Sequence, residues 1–331
     1  MTQSTATLAR SITWTSSKQS YFTARLLADR DLVDDCLRAY AYFRWADDMI
    51  DISLSGEASQ YASPESEPAR TAFIERQKTL IDALYRGEQP EGLSPEEAML
   101  ADLIAHDRTP ESGLCSFIRN FMSVIEFDAH RQGCLANRAE LQAYTTCLAT
   151  AVMDGLQYFI GNGQPYPLTH NRNLAVTGAH ITHMLRDMCE DLSAGLVNIP
   201  AEYLEVHGIV LNELNSVPLC LWTREQVALA RDCFREGKNY IDSLDGLRCK
   251  LAGVWYCARF ECILDLIEQD GFRLRAQYPE RHGLKVWLEL ARLGVAVILA
   301  HFARCLRSFF LRLNPPAGLN SKWNMPFYHI K

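Results

Sequence analysis

Apolar side chains recur every three to four positions along most of the chain and strand-like alternation is scarce, so the pattern predicts a protein built of helices. In residues 31–51, Leu32, Cys36, Tyr40, Phe43 and Ile50 mark one buried helical face. The pattern stops in ISLSGEASQYASPESEPAR (52–70), whose Ser, Glu, Pro and Gly offer little to bury and predict a loop or flap. Helical spacing resumes over 71–86, 94–106, 111–130 and 138–161, pauses at the turn-rich NGQPYP (162–167), and continues through 170–194. Breaks at 196–209 and 215–223 precede long helices over 224–245, 248–270 and 282–311, and the tail from about 313 to 331 reads as irregular. No segment has the composition of a linker and no solenoid-like repeat is evident, so one all-α domain over residues 1–331 is expected.

Composition narrows the class. A net charge of −7 disfavours a general electrostatic grip on nucleic acid, and a polyanionic ligand would need a local basic site. The eleven cysteines are odd in number and never spaced as CxxC, which supports neither a disulfide framework nor a zinc knuckle and fits a reducing cytosol. The first residues, MTQSTATLARSITWTSSK, lack the apolar core of a secretory signal. Near the C-terminus the apolar run Leu293–Ala300 is stopped by Arg292 and His301, far short of a bilayer span, so no transmembrane segment is expected.

Two acidic constellations carry candidate chemistry. In RWADDMID (44–51), Arg44, Asp47 and Asp51 share one helical face, with Asp48 about 100° round from Asp47. With 40 acids in 331 residues, roughly five acid-x₃-acid pairs arise by chance, most on solvated faces. This pair, however, follows the apolar stretch AYAYFRWA, where unpaired carboxylates are expensive. Mg²⁺ suits it, because this ion favours hard oxygen ligands and completes its shell with water and substrate phosphates.

In HITHMLRDMCEDLSAGLVNIP (180–200), Asp187 and Asp191 are again one turn apart, and His180 and His183 extend the stripe. The two acidic pairs could face each other across a cavity between helices. Arg186 is placed either for an ion pair with Glu190 or for a diphosphate oxygen, the second being favoured. A His pair beside a carboxylate also suits a transition metal. As single residues, the histidines read as hydrogen-bonded pocket residues.

These residues, in order, resemble the squalene/phytoene synthase family, the head-to-head prenyl synthases that include dehydrosqualene synthase. The resemblance runs from SSKQSYFTARLL (16–27) through YAYFRWADDMID, IEFDAHR (125–131), ELQAYTTCLA (140–149) and LRDMCEDLSAGLVNIP (185–200) to ARFECILDLIEQDGF (258–272). It implies an isoprenoid-synthase helical bundle with a central cavity between two Asp-rich helices, and a Mg²⁺ cluster binding prenyl diphosphate substrates. By position, Asp47, Asp51, Asp187 and Asp191 resemble metal and diphosphate carboxylates, and Arg44, Asp48 and Arg186 resemble diphosphate-site residues. Ser17 and Lys18 match the family's small-residue–basic pair, and Tyr144 a catalytic-cavity tyrosine. Departures are His180 and His183 where the family carries Gln and Asn, Gly195-Leu196 in place of Gly-Arg, and Phe260 in place of a tyrosine; these bear on the product.

The reaction so implied is head-to-head condensation of two farnesyl or geranylgeranyl diphosphates, through a cyclopropyl diphosphate, to a C30 or C40 polyene such as squalene, dehydrosqualene or phytoene. Alternatives are a single-substrate class I terpene synthase on the same fold, or a non-catalytic assembly or lipid-binding relative, against which retention of the four aspartates argues. NADPH would serve a reductive final step, although no GxGxxG fingerprint is present. The C-terminal helix mixes apolar residues with Arg292, Arg304, Arg307 and Arg312; it is expected to be a core helix with a basic exposed face, in a cytoplasmic protein with at most reversible, peripheral membrane contact.

Overall fold

The computed structural model describes residues 4–51, 67–107, 109, 112–131, 134–211 and 213–313. The described residues form α1 (Thr5–Ser16), α2 (Lys18–Leu27), α3 (Val33–Asp51), α4 (Glu67–Tyr85), α5 (Pro95–Ala105), α6 (Gly113–Arg131), α7 (Arg138–Ile160), α8 (Leu174–Ser193), α9 (Ala201–His207), α10 (Val217–Ser243), α11 (Leu247–Gln269), a 3₁₀ turn (Pro279–His282) and α12 (Leu284–Leu313). Among them there is no β-strand, only an isolated bridge between Leu135 and Val197. Local chemistry sets several starts. Ser94 and Asn137 open α5 and α7 through reciprocal capping boxes with Glu97 and Glu140, each satisfying two otherwise unpaired N–H groups.

Two large apolar clusters hold the helices together. One joins Leu185 and Met188 of α8 to Trp222 and Phe234 of α10 and Ile263 and Leu264 of α11. The other joins Tyr42 and Phe43 of α3 to Leu100 and Leu103 of α5, Ile118 and Met122 of α6 and Phe159 of α7. Each fully buried Leu, Ile or Phe contributes about 1.5–3 kcal/mol. The pairs α6–α7 and α8–α10 have the most extensive contacts, and α7 also packs on α8.

Glycine lets α8 and α10 approach closely. A Cβ on Gly237 would sit 2.4 Å from the Ala175 backbone nitrogen, and one on Gly178 would sit 3.0 Å from the Ala230 carbonyl oxygen. Backbone cannot yield as a flexible side chain can.

Several boundaries differ from those the sequence pattern predicts. Helices α1 and α2 occupy residues for which no helix was expected. The 52–70 segment lies mostly outside the described residues, but α4 already begins at Glu67. The break at 196–209 holds the short helix α9. The break at 215–223 is the first turns of α10, because Pro218 sits in the opening turn, where its missing N–H costs nothing. Helix α8 starts at Leu174, after a turn over 170–173.

The largest correction concerns α12. It is neither a core helix nor limited to a short apolar run: it is long and apolar enough to cross a membrane, with a window of mean hydropathy 1.7 of which only 6% is buried. The residues that interrupt the run, Arg292 and His301, do not end the helix.

Gly237→Ala is expected to cost about 1–3 kcal/mol by overpacking, read as a lower urea midpoint. An unchanged midpoint would mean that α8 and α10 have room to part.

Candidate active site

The first acidic group occupies the last turns of α3, where the carboxylates oppose the negative end of the helix dipole. Arg44 offsets part of this cost, with Nη1 3.4 Å from an Asp47 oxygen and Nη2 hydrogen-bonded to Asp48. All three side chains remain more than two-fifths exposed. Asp51 closes the helix, and its side chain lies outside the described residues.

On α8 the second group is more enclosed. Arg186 donates Nε and Nη2 to the two oxygens of Asp187 at 2.6 and 2.5 Å, and His183 Nε2 lies 2.8 Å from the same carboxylate. Arg186 thus pairs with Asp187 and not with Glu190, the helical partner the sequence offers. Burial works against the Asp187 charge, but the hydrogen bonds from Arg186 and His183 prevail and hold it well below the usual carboxylate range. One turn on, burial and then the Asp187 charge push Asp191 up to about 6. Of these two carboxylates one turn apart, the protein neutralises Asp187 and leaves Asp191 poorly compensated.

A residue network runs from the second group toward the first. The Tyr144 hydroxyl donates to Asp128 (3.0 Å), and Arg131 Nε donates to the other Asp128 oxygen (2.8 Å). Arg131 Nη1 donates to Asn198 Oδ1 (2.7 Å), and Asn198 Nδ2 donates to Asp191 (2.7 Å). From the other side, the Asp47 charge is near enough to help raise the Tyr144 phenol, whose shift comes chiefly from burial and then Asp128. The chain Asp191–Asn198–Arg131–Asp128–Tyr144 therefore links α8 to α6 and α7, with the end of α3 within electrostatic reach.

Asp128 and Arg131 are site residues that the sequence reading passed over. Their signal was available: an Asp and an Arg three apart in IEFDAHR, on a helix that is otherwise apolar on that side. Arg131 also lies over the rings of Phe127 and Tyr144 at 5.3 and 5.2 Å. Arg259 is a second omission. Burial and then the neighbouring Arg186 charge lower its pKa, and among the described residues no carboxylate pairs with it. Two cations held together in this way suit an anionic ligand.

His180 is buried against the Tyr144 ring, with centroids 5.2 Å apart, and its Nε2 has no partner among the described residues. Burial, then His183 and Arg131, pull its pKa down to about 3, so the imidazole is neutral. His183 instead is exposed and meets the edge of Phe260 (6.4 Å), which packs on Tyr256 (5.2 Å). Tyr256 lines a narrow apolar cavity with Met153, Ile160, Val176, Ile241 and Gly253, between α7, α8, α10 and α11. Along α8, Val176 and Asp187 are eleven residues apart, about 16 Å of helix. An acidic rim and an apolar interior are thus built on the same helices.

Ser17 and Lys18 lie elsewhere in role. Ser17 caps α2 by accepting from the Ser20 N–H at 3.1 Å, and Lys18 sits over Trp14 at 5.5 Å.

The donor set fits a hard divalent cation. Of the four expected metal carboxylates, Asp47, Asp187 and Asp191 could hold Mg²⁺, which needs only one or two protein carboxylates beside water and phosphate oxygens, and the Asp51 side chain lies outside the described residues. No group of three or more His, Cys, Asp or Glu residues set to hold a metal occurs among the described residues. The protein would thus supply a partial shell, with ligand oxygens completing it.

The raised Asp191 yields a pH-dependent expectation. Its folded pKa exceeds the ordinary value of 3.8, so its charge destabilises the fold fully above about pH 6 and not at all below the unfolded pKa. Asp191→Asn should stabilise the metal-free protein at pH 7 by about 1 kcal/mol after solvent screening, and the gain should vanish by pH 4. Urea midpoints at the two pH values check this; a loss of stability at both would show that Asn198 and Arg131 already compensate the charge.

Comparison with known proteins accords with this architecture. The sequence profile of the squalene/phytoene synthase family matches residues 15–286. A bifunctional lycopene cyclase/phytoene synthase from Arthroderma gypseum is 23% identical over 240 residues, covering 68% of this chain and 40% of that protein. The chain therefore spans well under half the length of that curated relative. Among solved structures, squalene synthase HpnC from Alicyclobacillus acidocaldarius superposes with a TM-score of 0.61 at 18% identity, covering 82% of this chain and 95% of that one. A dehydrosqualene synthase in complex with ligand gives a TM-score of 0.66 at 15% identity, covering 89% and 97%. These structural likenesses show a shared helical fold, and with the profile match extending over most of its length, the chain belongs to the squalene/phytoene synthase family.

Proposed function

We propose that this protein condenses two prenyl diphosphates head to head, with Mg²⁺, through a cyclopropyl diphosphate to a C30 or C40 polyene. The observation that carries the reading is the joining of an acidic rim, spanned by the Asp191–Asn198–Arg131–Asp128–Tyr144 chain, to an apolar cavity through His183, Phe260 and Tyr256. Family membership supports it.

Bound Mg²⁺ would neutralise the departing diphosphate and so favour ionisation of the allylic ester. The chain's own residues divide the remaining work. Arg44, Arg186 and Arg259 would bind diphosphate oxygens, with Arg259 available at the outset because no carboxylate among the described residues holds it. Asp187, ionised across the working pH range, keeps Arg186 aimed at the rim. Tyr144, Tyr256 and Phe260 would offer ring faces to the allylic cation and exclude water that would quench it. Neutral His180 adds no positive charge beside that cation. The second prenyl double bond would then capture the cation, and loss of a proton would close the cyclopropyl diphosphate; departure of its diphosphate would open the ring to a cation that ends by losing a proton or, in a reductive step, by taking hydride from NADPH.

A second reading, ionisation of a single prenyl diphosphate to a C15 or C20 terpene, is favoured by the narrowness of the cavity. Product analysis separates the two. Purified protein is given farnesyl or geranylgeranyl diphosphate and Mg²⁺, with and without NADPH, and hexane extracts are read by mass spectrometry. A C30 or C40 hydrocarbon or its cyclopropyl diphosphate precursor is expected, with turnover reduced by about 10² or more in Asp47→Ala and Asp187→Ala. A C15 or C20 product would establish the second reading, and absence of diphosphate release from any prenyl donor would overturn both.

A further inference from the structure

Val176, His180, His183 and Asp187 follow one another along α8 at intervals of four, three and four, and so share one side of the helix. Val176 lines the apolar cavity and Asp187 stands at the acidic rim. His180 lies between them, about 6 Å of helix from Val176 and about 10 Å from Asp187. A prenyl diphosphate with its tail in the cavity and its diphosphate at the rim would carry its reacting carbons along this interval.

His180 is 8% exposed, and its Nε2 has no hydrogen-bond partner among the described residues. A buried polar atom left unpaired is costly and calls for a use. The neighbouring acceptors are already engaged. Asp128 takes the Tyr144 hydroxyl proton and an Arg131 N–H, burial holds the phenol proton in place, and Asp187 is held by Arg186 and His183. In the tautomer with its proton on Nδ1, His180 offers at Nε2 a lone pair that no described residue uses. Burial, with His183 and Arg131, keeps the ring unprotonated, so the form that accepts a proton is present throughout the working pH range. Weak basicity is sufficient here, because a hydrogen on the carbon beside a carbocation is far more acidic than an imidazolium.

We propose that His180 Nε2 takes the proton that ends the reaction, so that the product is an unreduced polyene with a new central double bond. The inference rests on the condensation proposed above and supplies the residue that terminates it. In this step the C–H bond beside the cationic carbon breaks, its electron pair becomes the new C=C bond, and the proton goes to Nε2. The imidazolium then passes the proton to the departed diphosphate, and no oxidant or reductant takes part. A base fixed beside the cation acts without a further binding step, whereas termination by hydride needs a bound NADPH. The Tyr144 ring, 5.2 Å from the imidazole between centroids, helps to exclude the water that would otherwise give an alcohol.

The test gives the full chain, with Mg²⁺, the cyclopropyl diphosphates derived from farnesyl and geranylgeranyl diphosphate, with and without NADPH. Mass spectrometry reads how the consumed substrate divides among unreduced polyene, alcohol and reduced hydrocarbon. The parent is expected to give mainly unreduced polyene under both conditions. In His180→Gln, which has no basic nitrogen, and in His180→Phe, the ratio of unreduced polyene to the other two products should fall about 10²-fold. The ratio counts only molecules turned over, so a poorly folding variant lowers the amount and not the ratio. Added imidazole should raise the ratio in His180→Ala, and pyrrole, of the same size but not basic, should not. An unchanged ratio in His180→Gln and His180→Phe, or rescue by pyrrole equal to that by imidazole, would overturn the proposal. So would a parent that leaves the cyclopropyl diphosphates unconsumed or that turns them mainly into reduced hydrocarbon with NADPH. Formation of the cyclopropyl diphosphate from farnesyl or geranylgeranyl diphosphate, measured separately in the parent, decides the condensation itself, so the failure of that reading is seen apart from the failure of this one.

Discussion

The site depends on one buried cation among acids. Arg131, 7% exposed, is fixed by Asp128 on one side and Asn198 on the other, and through them it sets Tyr144 and Asp191. Removing a buried charge from such a pair leaves its partner uncompensated, which costs more than the pair itself contributes. Asp128 shows the strain: burial raises its pKa even with the Arg131 guanidinium beside it. A network of this kind is favourable only when each member is satisfied, and so it constrains α6, α7 and the 194–200 segment to one arrangement.

Around this constraint the protein divides polar and apolar work along the same helices. Leu185 and Met188 anchor α8 in a core, while Asp187 and Asp191, offset round the helix, face the rim. Towards the other end of α8, Val176 lines the apolar cavity. The site is left electrically incomplete: Asp191 is pushed up to about 6, and Arg259, lowered by burial and then by the Arg186 charge, has no carboxylate paired with it among the described residues. An unliganded rim that bears unneutralised charge of both signs suits a ligand that brings both, as a metal diphosphate does.

Much of this was legible in the sequence, because the relevant signals are local. The period of apolar residues located α3 to α8, α11 and α12 to within a few residues and α10 except for its first two turns, and i, i+4 spacing placed Asp187 and Asp191 on one face. What was missed depends on information a single helix does not carry. Asp128 and Arg131 look like an ordinary ion pair until Tyr144 arrives from α7 and Asn198 from the 194–200 segment. Pro218 reads as a breaker unless it is known to fall in the first turn of α10. Trp287, Leu288 and Leu299 have a core-helix pattern, yet only the packing of α11 shows which face is buried, and it is the opposite one.

The most direct test of the central claim, that both acidic groups serve one metal-diphosphate site, is calorimetric binding of inorganic pyrophosphate with and without Mg²⁺. The account predicts tight binding only when both are present, lost about equally in Asp47→Asn and Asp187→Asn although the two residues lie on different helices. Pyrophosphate binding that is indifferent to Mg²⁺, or that survives either substitution, would contradict it.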